Sequence, residues 1–330
     1  KDVQALIDCL SNLGIEWDGL SIKGGDISQP QCVLNCGNSG TALRFLIGQS
    51  ATCDFKILLE GDASLRARSS LHLVKSLGVS NSGFAENENY PLIITGPFNR
   101  GIIEIDVSKT SQFHSAIMLM APRTNGFKII TKGNAVSRKH SALTWDLCKQ
   151  TGANEPGVPW DVDCPDIVIP PDASMMAFAK LAELGVKNPP NESESIGHSL
   201  ENNVLRDSND LITPMAAWLS LGDGGIITQA SHAAHKESNR ITKTVDMLSK
   251  FGIHSSATAD GIAVKGGQVP QRPEGVVETY GDHRIQMTAI ILANMCGGVV
   301  QGRDLHEIAW PSYITQLQSC GLKIKTVTQP

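Results

Sequence analysis

Four short segments place polar and basic side chains at the start of apolar helical patterns. Asn38-Ser39-Gly40-Thr41 opens into Ala42-Leu43-Arg44, and Thr110-Ser111-Gln112 opens into Phe113. His235-Lys236-Glu237-Ser238-Asn239-Arg240 and Tyr280-Gly281-Asp282-His283-Arg284 open two more. A helix N-terminus offers free N–H groups and the positive end of a dipole, so each is a place where an anion could be held. Lys236 and Arg240 fall one helical turn apart with Glu237 beside them, a pattern that holds an anion and keeps a carboxyl near it for proton transfer. Arg284 is the natural fork for a carboxylate or phosphate, and Asp282 is placed to orient the His283 ring. Each segment also has a plainer reading: Ser39 or Thr41 as an N-cap, Thr110 to Gln112 as a cap, Lys236 to Arg240 as a solvated charged face.

The elements that must position these residues are legible as alternating helices and strands. Val3, Leu6, Ile7, Leu10 and Leu13 mark an amphipathic helix over residues 2–13, stopped by Gly14. Further helices are predicted over 41–49, 64–77, 111–120, 142–150, 173–184, 211–221, 238–251, 284–295 and 311–320. Strands are predicted over 55–60, 102–107, 127–131, 167–169, 225–229, 261–264 and 298–301. The phrases Leu10-Ser11-Asn12-Leu13-Gly14, Val74-Lys75-Ser76-Leu77-Gly78 and Leu248-Ser249-Lys250-Phe251-Gly252 rhyme, as internal repetition of one supersecondary unit would require. Strands alternating with helices place the chain in the α/β or α+β class. A polar stretch over 187–203 is the linker or long-loop candidate.

Length and composition bound the function. At 330 residues, with 41% hydrophobic and 18% charged, the chain is a folded protein of about two domains. A net charge of −5 argues against a nucleic-acid protein with a wholly basic face, and no apolar run approaches the ~20 residues that span a bilayer. None of the eight Cys forms a C-x-x-C pair, so free thiols in a reducing compartment, and no zinc, are expected. A cytoplasmic protein is the simplest expectation, and a processed organellar one would look the same. No Rossmann or P-loop glycine pattern follows a strand. Lys1 is not an initiator Met and the sequence runs straight into a helix, which leaves room for residues upstream.

At this point the segments resemble, in order, those of the 5-enolpyruvylshikimate-3-phosphate (EPSP) synthase family. Gly37 to Arg44 resembles G-N-A-G-T-A-x-R, and Gly61-Asp62-Ala63-Ser64-Leu65-Arg66-Ala67-Arg68 is similar to G-D-x-S-L-x-x-R-P. Thr110 to Phe113 resembles S-S-Q-F/Y, and Asp172-Ala173-Ser174 resembles D-A-S-S. Lys236 to Arg240 matches K-E-[ST]-[DN]-R, and Gly281 to Arg284 matches [GDN]-D-H-R. The resemblance implies an α+β fold of α/β repeats, with two lobes of βαβαββ units and substrate in the cleft between them. The lobes would span 1–170, on the shikimate-phosphate side, and 171–330, on the phosphoenolpyruvate (PEP) side.

The implied reaction transfers the enolpyruvyl group of PEP to the 5-hydroxyl of shikimate-3-phosphate, a step of aromatic amino acid biosynthesis, with no metal or organic cofactor. A monomer acting on these small anions, with neither nucleic acid nor membrane as partner, is what the resemblance implies. By position, Glu237 matches the proton-shuttling glutamate, Asp210 the aspartate that holds the substrate hydroxyl, and Lys236 a lysine on that substrate's hydroxyls. Arg240 and Arg284 match the fork on the PEP carboxylate, with His283 beside them; Arg68 matches an arginine on the PEP phosphate, and Asn38 and Gly40 line the same side. Thr110, Ser111 and Ser137 match hydroxyls on the shikimate phosphate, Gln112 lies against the ring, and His140 stands where the family has Tyr.

The departures point one way. The family's L-P-G-S-K-S-x-S-N-R segment is absent, Ile308 replaces the Lys of K-T-[FW]-P, and Ser69 replaces a Pro. The span from Ser174 to Asp210 is short, as though most of one repeat were missing. A departing phosphate that loses its cations loses a large electrostatic term, so the chain taken as complete is expected to be a weak or inactive transferase. The alternative is then a diverged homologue that binds an anionic ligand or acts on another hydroxylated substrate. A transferase acting on UDP-N-acetylglucosamine fits the segments less well. An RNA-terminal cyclase would need a nucleotide-linked His and a more basic cleft.

Overall fold

Parallel strand pairs bridged by a helix recur along the chain. The computed structural model describes residues 1–79, 90–169, 172–182 and 203–327, and its chain falls into two units, Lys1–Val168 and Ile169–Pro330. In the first unit, α1 (Asp2–Asn12) leads into a short antiparallel hairpin of β1 (Glu16–Trp17) and β2 (Ile22–Lys23). β3 (Leu34–Asn35) crosses through α2 (Gly40–Ser50) to a parallel β4 (Lys56–Glu60). Helices α3 (Ala63–Ala67) and α4 (Leu71–Leu77) follow, and β5 (Leu92–Thr95) returns antiparallel to β4. β6 (Ile102–Asp106) then crosses through α5 (Gln112–Met120) to a parallel β7 (Lys128–Lys132), and α6 (Arg138–Gln150) follows.

Alternation explains the strands: Ile103 and Ile105 of β6 are buried while Ile102 and Glu104 are exposed. Their core faces α2 and α5, which run so close that a Cβ on Gly48 would stand 2.8 Å from the Ala116 carbonyl oxygen. A side chain there would force the two helices apart.

The second unit contains α7 (Ala173–Leu181), α8 (Ile212–Leu221), β8 (Gly224–Ile227), α9 (Arg240–Lys250), β9 (Ser255–Ala257) and β10 (Ile262–Lys265). β10 is central in the antiparallel order β8-β10-β9. β11 (Val276–Val277) crosses through α10 (His283–Cys296) to a parallel β12 (Val299–Val300), and α11 (Tyr313–Ser319) ends the described structure. α9 buries Ile241, Thr244, Met247 and Leu248, a single stripe at helical spacing. α10 is buried almost all round over its first ten residues, so it is the central helix of this unit.

Two of the three rhyming helix ends share a geometry with two other helix ends. The amide of Ile15 donates to the Leu10 carbonyl, Ala153 to Cys148, Ile253 to Leu248 and Leu322 to Leu317, each 2.9–3.1 Å. This is the Schellman closure, and the glycine before each donor has positive φ: Gly14 88°, Gly152 108°, Gly252 70° and Gly321 93°.

Several expectations are corrected. Residues 167–169 form no strand, and Val168 and Ile169 are 91% and 88% exposed with no ladder partner among the described residues. The single helix expected over 64–77 is two: Arg68 leaves the helical region (φ −95°, ψ 81°), and its side chain turns back onto residue 38. The helix expected from Ser238 begins at Arg240, so Lys236, in extended backbone, is not a helical neighbour of Arg240. The short strands β1, β2, β3, β5, β9 and β11 were not predicted, since two to four residues carry too little periodicity. The segment 187–203, up to Asn203, lies outside the described residues. Among the described residues no helix is long and apolar enough to cross a membrane.

Gly252→Ala forces a β-carbon into the left-handed region, 3.1 Å from Gln271 Oε1. A loss of ~1–2 kcal/mol is expected, read as a lower urea midpoint with unchanged m-value.

Candidate functional site

Each of these crossovers turns from strand to helix, and these turns hold most of the residues singled out above. Between β3 and α2, Ser39 caps the helix by accepting the Ala42 amide at 3.2 Å. The N-cap reading of Ser39 is therefore correct, and the same turn also carries polar side chains. Asn38 Nδ2 donates to Asp62 Oδ2 at 2.6 Å, and Asp62 caps α3 through the Leu65 amide. Arg68 Nη2 donates to both the backbone oxygen and Oδ1 of Asn38, at 2.6 and 2.8 Å. The β4–α3 turn is thus fastened onto the β3–α2 turn, with Arg68 as the clasp.

At the N-terminus of α5, Gln112 Nε2 donates to Thr41 Oγ1 at 2.8 Å, while its Oε1 accepts from Arg44 Nη1. The starts of α2 and α5 are thereby joined. Arg44 is buried, and its guanidinium lies 5.5 Å over the Phe113 ring. A Cβ on Gly40 would stand 2.8 Å from Arg44 Nη1 and would push the guanidinium from this position. Thr110 Oγ1 accepts the Gln112 amide, and Ser111 is buried.

Between β7 and α6, Ser137 is held at φ 49° just before the helix. One turn into α6, Thr144 Oγ1 donates to the His140 carbonyl and pairs with Ser115 Oγ of α5 at 2.8 Å. Asn38, Gly40, Thr110, Ser111, Gln112, Ser137 and His140 thus sit at or near the starts of α2, α5 and α6 in the first unit, and Arg68, at the end of α3, reaches back to the first of them. Hydrogen bonds join the starts of α2, α3 and α5, and the Ser115–Thr144 pair ties α5 to α6 beyond its first turn.

In the second unit the organising residue is Arg240, the first residue of α9 and 1% exposed. Its Nε donates to Asp282 Oδ2 at 2.8 Å, Nη1 to Asp210 Oδ1 at 2.6 Å and Nη2 to Glu237 Oε2 at 2.5 Å. Burial opposes its charge, yet Asp282, Glu237 and Asp210 outweigh that and hold its pKa above the ordinary arginine value. Asp210 lies in a 3₁₀ turn entering α8, where it also meets Lys236 Nζ at 3.6 Å and Arg284 Nε at 3.8 Å. Arg284 Nη1 donates to the Asp210 carbonyl at 3.2 Å and Nη2 to Ser174 Oγ at 3.1 Å. Glu237, Asp210, Lys236, Arg240 and Arg284 therefore converge, as three cations and two carboxylates, with Asp282 as the third.

Asp282 does not orient His283. Its oxygens are taken by Arg240, by the Ser238 hydroxyl at 3.0 Å and by the Arg284 amide it caps, also at 3.0 Å. His283 is buried and its Nδ1 has no hydrogen-bond partner among the described residues. Asp282, wholly buried, was missed as an anchor of Arg240; its place beside His283 in the sequence pointed to that ring instead. His232 was missed outright: it is buried, and neither ring nitrogen has a partner among the described residues. Ile308 is half-buried at the end of a 3₁₀ turn, and Trp310 packs 5.3 Å from the Tyr313 ring. Among the described residues no group of three or more His, Cys, Asp or Glu could hold a metal ion.

Comparison with known proteins fits this geometry. A relative from Methanococcoides burtonii named 3-phosphoshikimate 1-carboxyvinyltransferase is 28% identical, over 98% of this chain and 88% of its own length. A Bacillus pumilus protein of the same name is also 28% identical, over 96% and 88%. The first alignment runs over 381 positions against 330 residues here, so that relative carries residues this chain lacks. In fold the chain is similar to EPSP synthase from Acinetobacter baumannii, with TM-score 0.73 and 20% identity over 98% of this chain and 89% of that one. The enolpyruvyl transferase NikO from Streptomyces tendae has TM-score 0.63 and 14% identity, over 99% and 88%. The model of the family described as EPSP synthase (3-phosphoshikimate 1-carboxyvinyltransferase) matches residues 1–158 and 161–317, and the chain belongs to that family.

Proposed function

We propose that this chain transfers the enolpyruvyl group of phosphoenolpyruvate to a hydroxyl of shikimate-3-phosphate and releases phosphate. The observation that carries this reading is the gathering of Glu237, Asp210 and Lys236 around the buried Arg240 and Arg284. It supplies what the chemistry needs: a carboxyl to work as acid and base, a second carboxylate beside a lysine, and a two-arginine fork for a carboxylate. Glu237 would protonate the methylene carbon of PEP. Asp210 would accept the proton of the attacking hydroxyl, with Lys236 on the same hydroxyls. The C–O bond forms at C2, phosphate leaves, and Glu237 takes back a methyl proton. Arg240 and Arg284 would hold the PEP carboxylate next to His283.

In the first unit, Arg68 with Asn38 and Gly40 would take the PEP phosphate. Thr110, Ser111 and Ser137 would take the phosphate of the shikimate substrate, with Gln112 and His140 along its ring. The connected starts of α2 and α5 support an anion there, because helix N-termini add their dipoles and free amides.

A second reading rests on Ile308. An aliphatic side chain at the family's lysine position removes one cation from a departing phosphate, which fits a transferase of reduced rate.

His283 is not the acid. Burial, then Arg284 and Arg240, push its pKa down to about 4, and burial with Lys236 does the same to His232. Both are neutral in the fold at pH 7.

Phosphate release from PEP that depends on shikimate-3-phosphate tests the reading. Glu237→Gln should lower kcat on the order of 10²–10⁴-fold with KM little changed. Turnover that survives this substitution would overturn the assignment. Ile308→Lys should raise kcat/KM, by roughly 10²-fold if the missing cation limits the rate; no gain would discard the second reading.

The two histidines also set a pH dependence of stability. Their pKa values in the fold lie below the unfolded value, so the unfolded chain gains protons first as pH falls. Their contribution to stability should be flat above pH 7 and decline from about 6.5 toward 4, at up to ~1.4 kcal/mol per pH unit for each histidine. Urea midpoints across that range read it, and His232→Gln should flatten the slope.

A further inference from the structure

The turn that opens α10 is strained at a residue the proposed chemistry leaves unused. Tyr280 and Gly281 both have positive φ, 54° and 70°, and the Asp282 amide closes the turn by donating to the Thr279 carbonyl at 2.9 Å. Two successive left-handed residues under such a bond are the pattern of a type I′ turn, whose first central position suits Asn, Asp or Gly. A bulky aromatic there is an outlier. The Tyr280 ring is half-buried against the core of the second unit, and its hydroxyl makes no hydrogen bond among the described residues.

What the ring does meet is Lys243, whose Nζ lies 4.4 Å from the ring centroid and is held there by Asp246 Oδ2 at 2.9 Å. Lys243 stands on α9 one turn after Arg240, and Tyr280 stands just before Asp282. The cation–ring contact therefore runs between the same two elements as the Arg240–Asp282 ion pair. Resting on the reading of Arg240 and Arg284 as the fork for the PEP carboxylate, we propose that Tyr280 is a positioning residue, clamped by Lys243, that holds the two guanidinium groups at the spacing this carboxylate needs.

The fork needs this second tie because its first one is shared. Arg240 is bonded to Asp282, Asp210 and Glu237, and Arg284 to the Asp210 carbonyl and Ser174. A carboxylate arriving at the fork displaces some of these partners, and the ion pair that joins α9 to the α10 turn then carries the ligand's charge as well. Neither Lys243 nor Tyr280 bonds to any of these groups, so their contact persists while the arginines exchange partners. The left-handed backbone at Tyr280 aims its ring at Lys243, and strain of this kind is kept where a ligand's geometry must be fixed beforehand. Because the hydroxyl is unbonded, the ring alone carries the contact.

The test compares, in the full chain, Tyr280→Asn, which suits the left-handed turn but removes the ring, with Tyr280→Phe, which keeps it. In Tyr280→Asn the KM for PEP should rise roughly 5-fold, the weight of one cation–ring contact, with kcat and the KM for shikimate-3-phosphate little changed. Tyr280→Phe should stay near the parent value. Lys243→Gln should match Tyr280→Asn, and the two together should cost no more than either alone. An unchanged KM for PEP, a loss shared by kcat and both substrates, an equal effect in Tyr280→Phe, or additive effects of the two substitutions would each overturn the proposal. Where the parent chain does not turn over, the enolpyruvyl-transfer reading fails, and NMR exchange of the Arg240 Nε proton, bonded to Asp282, decides the tie alone. That exchange should be roughly 5-fold faster in Tyr280→Asn than in Tyr280→Phe, and equal rates would discard the clamp.

Discussion

A guanidinium almost wholly excluded from water governs the second unit. Arg240 is 1% exposed, and an isolated charge there would be prohibitive. It persists because Asp282, Asp210 and Glu237 come to it from three different turns. With Lys236 and Arg284 the cluster holds three positive and three negative groups, and so closes near neutrality. Each element end is placed by this requirement. α9 starts on Arg240 itself, α10 starts on the cap that Asp282 provides, and the 3₁₀ turn before α8 delivers Asp210. Taking away one partner of such a network costs about 3–5 kcal/mol, because the others are left buried and unpaired.

The two units apply one rule to opposite ends of their helices. Where a helix runs into the next strand, a glycine in the left-handed region closes it, as at Gly14, Gly78 and Gly252. Where a strand runs into a helix, the turn carries hydroxyls, amides and charged groups, as at Ser39, Gln112, Ser137, Arg240 and Arg284. Unsatisfied amides accumulate at that second end and make it receptive to anions. Open α/β sheets bind ligands outside the carboxyl ends of their strands for the same reason. Repetition of the unit therefore multiplies candidate anion contacts without a new motif each time.

The sequence disclosed this division of labour more fully than it disclosed the strands. Glycines after Leu13 and Phe251 marked helix ends because only glycine takes those angles cheaply, and polar segments before apolar periodicity marked helix starts. Strands of two to four residues, such as Leu34–Asn35 and Val276–Val277, have no period to read. They exist because a partner strand and a crossover helix hold them. Residue types in the site were legible, but partners were not. Asp282 looked set to serve the histidine beside it in sequence, yet it serves an arginine 42 residues away. Local order could not reveal that Arg240 is buried and demands the nearest carboxylate, since burial is a tertiary fact. Arg68 was legible as a cation, while the break it makes between α3 and α4 depends on its reach to Asn38.

Stability and acid–base chemistry draw on the same carboxylates, and this constrains how the second unit can work. Glu237 and Asp210 share Arg240 with Asp282, but their positions differ. Asp282 is wholly buried, bonded to two guanidinium nitrogens and locked into a helix cap, whereas Glu237 and Asp210 retain 15% and 22% exposure. A carboxylate fixed on every side cannot move a proton, so the structural duty falls to Asp282 and leaves the other two free to exchange partners. An anion arriving at Arg240 and Arg284 competes with Glu237 and Asp210 for the same N–H groups. A carboxylate that loses part of its cation becomes a stronger base, and its conjugate acid is then held closer to neutral pH. In the proposed mechanism, the arginine that makes the cluster stable is thus also the one through which ligand charge would reach the proton-transfer group.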